Sequence, residues 1–210
     1  SNGLIHNYIE QIFSLESVGC KDWLTNKVDR CVGGKVAKQQ CVGELQLPLN
    51  NCGVMALDYS TKHGVATSIG HSPVSALIDP NAGSKNSIAE ALTNIIWAPI
   101  ENGLKGVSLS ANWMWPCKNE GEDARLYKAV ESVSKFAIEL GINIPTGKDS
   151  LSMNQKYENL EVKSPGTVIV SATAHCNNIS NIIEPVFKLD KGSIFYINLS
   201  SDDFKLGGSA

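Results

Sequence analysis

Nowhere in these 210 residues is there a run of basic side chains; Lys and Arg number 18 against 21 Asp and Glu, for a net charge of −3. The electrostatic footprint of a nucleic-acid binder is therefore missing. No apolar stretch approaches bilayer length, and the N-terminus carries no charged segment followed by an apolar one. The chain reads as cytoplasmic, with no membrane and no nucleic acid among its partners. Histidine is scarce, at four residues, and the six cysteines (Cys20, Cys31, Cys41, Cys52, Cys117 and Cys176) form no CxxC pair and have no His at zinc-finger spacing. That excludes a zinc finger and argues against a disulfide framework, leaving free structural thiols. What is present is ordinary for a soluble globular chain: 42% hydrophobic and 19% charged residues, enough for one core or one and a fraction.

The stretch Asp79 to Trp97 organises the rest. After a Pro/Asn/Gly turn, Ile88, Ala91, Leu92, Ile95 and Ile96 recur at helical spacing and predict a helix with one buried stripe. Glu90 and Asn94 stand four apart and share another face, flanked by Asn86 and Ser87. Read alone, that face is either solvated or half of a site for a hard cation, because Mg2+ takes a few oxygen ligands and shares the rest with water and substrate phosphates.

Residues 4–15 predict a short amphipathic helix, with His6 on its surface. From Val18 to Gly43 the sequence reads as an extended connector, in which Gly33 and Gly34 after Asp29-Arg30 are turn glycines in preference to a phosphate cradle. Cys52–Leu57 and Val65–Ile69 predict two strands of a meander, and Ser75–Ile78 a third apolar strand. Val107–Leu109 reads as a strand delivering a loop from Ser110 to Pro116. There Trp113 and Trp115 beside Asn112 either stack on a base or pack against a neighbouring domain. Residues 122–140 predict a long scaffold helix closed by Gly141. Ile142–Pro145 reads as a strand emptying into a loop, Thr146 to Met153, where Gly147 permits close backbone approach, Lys148 offers a point charge and Asp149 a metal ligand. Thr167–Ala174 and Ile194–Leu199 read as strands opening a second domain. Ser1-Asn2 reads as a tag remnant, and Gly207-Gly208-Ser209-Ala210 stops in mid-pattern, as in a segment of a longer chain.

The blocks DRCVGGKVAKQQCVGELQLPL, DPNAGSKNSIAEALTN, LSANWMWPCKNEGEDARLY, IPTGKDSLSM and SPGTVIVSATA, with LGGSA, occur in that order. Together they resemble the second synthetase half of the phosphoribosylformylglycinamidine synthase family. The resemblance implies an α+β fold: an aminoimidazole-ribonucleotide-synthetase-like (PurM-like) N-terminal domain, a sheet layer packed by helices, plus the first strands of a PurM-like C-terminal domain. The expected boundaries are 1–35 for tag remnant, helix and connector, 36–160 for the ATP-binding-type domain and 161–210 for the truncated second one. The implied activity is that of a purine-biosynthesis ligase that uses ATP and glutamine to convert formylglycinamide ribonucleotide to the amidine. Implied cofactors are ATP or ADP and Mg2+, and implied partners are the remainder of the synthetase and its glutaminase domain. Family first domains pair about a pseudo-twofold axis through their sheets, so the resemblance also implies a homodimer for this segment, inactive by itself. Carried over by position, Glu90 and Asn94 match Mg2+ ligands of an auxiliary nucleotide site, and Asn51 stands where the family pattern has an acidic ligand. Asp149 is implied as a metal ligand, Ser150 and Ser152 as partners of phosphate oxygens, Lys148 as electrostatic support and Asn112 as a nucleotide or substrate contact. Ala111 replaces an Asp that small family members direct to the base.

Overall fold

The computed structural model describes residues 2–16, 18–28, 30–189 and 191–198. Asp29, Leu199 and the closing LGGSA lie outside the described residues. In chain order the elements are α1 (Asn2–Phe13), α2 (Asp22–Thr25), β1 (Val36–Lys38), β2 (Cys52–Ala56), β3 (Gly64–His71), α3 (Pro73–Ile78), α4 (Pro80–Ile95), β4 (Val107–Met114), α5 (Glu122–Leu140), β5 (Asn143–Ser150), β6 (Asn154–Lys156), β7 (Glu161–Lys163) and β8 (Thr167–Cys176). Six strands form one sheet in the order β1-β2-β3-β8-β4-β5, and β6 and β7 make a separate hairpin. Every pairing in the large sheet is antiparallel except β4 with β5, whose connection runs through α5.

Strand alternation divides the sheet into a backed face and an open face. Cys52, Val54, Ala66, Ser68, Leu109, Ala111, Val170 and Ala172 are buried on the first, under α4 and α5. Thr67, Ile69, His71, Ser108, Ser110, Ile169 and Thr173 alternate with them on the second, and none of these is buried. This is the expected mixed α+β layer, a sheet packed by helices.

Helix α4 starts earlier than expected, at Pro80, so that the Pro/Asn/Gly segment read as a turn forms its first turn. Asp79 accepts a hydrogen bond from the Asn81 backbone at 2.8 Å and Pro80 fills the first helical position. Its buried stripe is Ile88, Ala91, Leu92 and Ile95; Ile96 falls past the helix end and is half exposed. Close approach to β3 depends on Gly70, since a Cβ there would sit 2.1 Å from the Ser87 carbonyl oxygen. Ser68 adds a 2.6 Å hydrogen bond to the Ala91 carbonyl. Helix α5 ends at Gly141, whose φ of 68° is the left-handed conformation that closes a helix.

Several expectations are corrected. Ser75–Ile78 is not a strand but lies in α3, started by Pro73; six residues are too few for a helical period to show. Inside the expected connector, Asp22–Thr25 is helical and Val36–Lys38 is the edge strand β1. Ser110–Met114 and Thr146–Ser150 are not loops but the continuing halves of β4 and β5, paired in parallel from Ser110↔Thr146 to Met114↔Ser150. Polar side chains are admitted because one face of both strands is uncovered. Thr167–Ala174 does not open a second domain at 161: β8 lies between β3 and β4, and its Val170 and Ala172 share their core. Residues 194–198 form no strand.

Candidate functional site

Strand β3 outruns its neighbour. Its pairing with β2 ends at Ser68↔Cys52, so on that side Ile69, Gly70 and His71 have no strand partner. Helix α4 supplies the replacement. Glu90 Oε2 accepts from the His71 backbone N–H at 2.6 Å, and Asn94 Nδ2 donates to the Ile69 carbonyl at 3.0 Å. Four helical residues rise about 6 Å and two strand residues about 7 Å, so the two spacings match. The helix thus finishes the edge of the sheet with two side chains.

Each of these side chains has an atom left over. Glu90 Oε1 and Asn94 Oδ1 have no hydrogen-bond partner among the described residues, and neither does the Asn51 side chain. All three residues line one cavity of about 610 Å³, together with His71, Thr67 and Ser171. The sequence-predicted trio is therefore brought together. The available donors are one carboxylate oxygen and two amide carbonyls, hard oxygen ligands of the type Mg2+ takes when water and phosphate complete its shell. Among the described residues no three His, Cys, Asp or Glu side chains gather, so a cation here would depend on the amides.

A second cavity, of about 560 Å³, adjoins the first and shares Asn50, Asn51, Cys52 and Asn94 with it. Its further walls are Leu49, Trp97, Val186 and Phe187, with Lys38 at its base. Lys38 is only 4% exposed and donates from Nζ to the Ile183 carbonyl at 2.6 Å. Burial pushes this ammonium below its ordinary value, opposed by Cys52 and Glu184, while burial pushes the Cys52 thiol up.

The remaining predicted residues occupy the opposite end of the sheet. Asn112 on β4 and Lys148 and Ser150 on β5 share the open face, with Lys148 Nζ donating to Ser150 Oγ at 2.8 Å. Asn112 Oδ1 is buried without a partner among the described residues, as is Oγ1 of the nearby Thr167. Asp149 pairs with Trp113 and alternates to the other face. It lies three strands from β3, roughly 14 Å at the usual strand spacing, and does not join Asn51, Glu90 and Asn94. Ser152 falls past β5, bridged to Pro116. Trp115 takes no part in a surface stack: it is fully buried, and its Nε1 donates to Glu122 Oε2 at 2.9 Å.

Two residues escaped sequence reasoning. His71 was legible in principle, as the last outward position in the alternation Thr67, Ile69, His71. Lys38 carried no signal, since a lysine in a three-residue edge strand gives no indication of burial.

The chain is similar to known proteins in sequence and in fold. The chain is 44% identical over 212 residues to a probable phosphoribosylformylglycinamidine synthase of Caenorhabditis elegans, covering 100% of this chain and 16% of that protein. It is 41% identical over 208 residues to the phosphoribosylformylglycinamidine synthase of Homo sapiens, covering 98% and 16%. The chain thus spans about a sixth of the length of these relatives. The structure of Thermotoga maritima PurL complexed with ADP superposes with a TM-score of 0.58 at 16% identity, covering 80% of this chain and 25% of PurL, which shows a shared fold. The sequence profile of the FGAR-AT PurM_N-like domain matches residues 20–175, from before β1 through nearly all of β8, and the chain belongs to that family.

Proposed function

We propose that this chain forms a nucleotide- and metal-binding wall of a phosphoribosylformylglycinamidine synthase, the ligase that uses ATP and a glutamine-derived amine to turn formylglycinamide ribonucleotide into the amidine. The observation that carries the reading is the placement of Glu90 and Asn94, each anchored to β3 by one atom and offering an oxygen to a cavity shared with Asn51. Asn51, Glu90 and Asn94 would hold Mg2+, which when bound neutralises charge on nucleotide phosphates. The anchoring hydrogen bonds fix the two donors before any ligand arrives, so little side-chain entropy is lost on binding. The adjoining cavity, with Trp97 and Phe187 in its walls, suits the apolar part of the nucleotide.

Lys148 and Ser150 present cation and hydroxyl on the open face beside Asn112, a group suited to phosphate or polar substrate once a second domain of the same fold covers that face. Ile69 and Met55, 55% and 47% exposed, lie on it and favour such a cover. Static light scattering checks this: a twofold dimer is expected, and a monomer at tens of micromolar contradicts pairing with a copy. A structural nucleotide is the second reading, favoured because Glu90 and Asn94 also hold β3 in place. The test is thermal unfolding with and without Mg2+ and ADP. A rise in Tm that disappears in Asn94→Ala is expected; no rise in the unaltered chain overturns the proposal.

A further inference from the structure

We infer that His71 is a fourth donor to the cation of the Asn51–Glu90–Asn94 cavity and biases that site away from Mg2+ toward divalent cations that accept imidazole more readily, Mn2+ included. This rests on the metal-binding reading proposed above and goes beyond it in assigning a nitrogen ligand and a metal preference.

Three observations converge on His71. It lines the same cavity as Asn51, Glu90 and Asn94. Its own backbone N–H is the group that holds Glu90 Oε2 at 2.6 Å, so the ring springs from the residue nearest the carboxylate. The ring itself makes no hydrogen bond or ion pair to any described residue, and strand alternation places it on the open face, at the strand end whose backbone holds that carboxylate. Of the four donors it alone offers nitrogen, since amide side chains ligate through oxygen and the Asn94 amide nitrogen is already committed to Ile69.

The chemistry of the set then fixes the preference. A single carboxylate supplies one negative charge, which is little for Mg2+ without phosphate. Imidazole adds a ligand that Mg2+ accepts poorly, that Mn2+ accepts more readily and that Co2+ and Zn2+ accept well. Glu90 stays oriented through the backbone of the very residue whose side chain joins it, so first ligand and fourth ligand are set by one strand end.

The experiment uses Mn2+ alone, without nucleotide, so that no base nitrogen competes. Electron spin-echo spectroscopy of Mn2+ bound to the full chain is expected to show nitrogen modulation, absent in His71→Ala. In competition, Mg2+ should displace Mn2+ from the unaltered chain only at an excess of tenfold or more, an excess that falls severalfold in His71→Ala and is not restored by His71→Gln. Bound Mn2+ without nitrogen modulation overturns the role of His71 and leaves the oxygen site standing. Mn2+ binding that is unaffected by Glu90→Gln shows instead that the cavity is not the metal site at all. Unfolding curves of both His71 variants confirm that the exposed ring is dispensable for folding.

Discussion

The two faces of one sheet obey different rules. On the backed face each position is fixed by what lies above it: Gly70 admits α4, Ser68 bonds to it, and Val54, Ala66, Val170 and Ala172 are fully covered. On the open face the same strands carry Thr, Ser, His and Asn with room around them, and the candidate ligands cluster at its two ends. The difference teaches that chemistry here sits where packing has stopped dictating the residue, while the positions that aim it lie behind, on α4.

The contrast can be broken first at Trp115. Truncation to Ala leaves a cavity the size of an indole beneath Gly166, strips Glu122 of its donor and is expected to cost about 4 kcal/mol in chemical unfolding. A loss under about 1 kcal/mol would mean that the backed face is not tightly packed. Next comes a glycine pair on opposite faces. Gly70→Ala forces a Cβ against the Ser87 carbonyl and should cost about 2 to 3 kcal/mol. Gly53→Ala on the open face meets only Thr67 Oγ1 at 3.6 Å and should stay within about 0.5 kcal/mol. Equal effects in urea titrations would erase the distinction. Asn94→Ala removes one hydrogen bond to β3, for about 1 kcal/mol of stability, and with it the Tm gain from Mg2+ and ADP.

A smaller effect sharpens the boundary between the faces. The Lys38 ammonium titrates below its ordinary 10.5 in the folded chain, so between that lowered value and 10.5 the unfolded chain holds more protons. Its contribution to stability therefore rises with pH across that window. Cys52 acts oppositely: its thiol ionises above the ordinary 9.0 when folded, so stability drawn from it falls as pH climbs past 9.0. Relative to Lys38→Met, the unaltered chain should gain stability as pH rises towards 10.5. A flat difference would place Lys38 in water.

Periodicity made the two long helices legible, with the closing glycine of α5, because each exceeds four turns and buries a stripe. The strands were legible only where apolar residues alternate. SANWM and TGKDS were read as loops since their outward residues are polar and β5 is an edge. Strand β8 was given to the wrong unit because sequence order says nothing about which gap in a sheet a late strand fills. Of the candidate site, Glu90 and Asn94 were legible as one helix face, and Asn51 joined them only through the family resemblance. The anchoring of Glu90 and Asn94 to β3 was not legible, since it depends on where β2 stops.

That stopping point has a further consequence. A strand end that lacks a neighbour is a template for another chain's backbone, and Glu90 and Asn94 occupy the two groups such a strand would use. The two side chains are thereby also gatekeepers against self-association. A variant that frees the Ile69 carbonyl and the His71 N–H would leave this strand end open to pairing with another chain.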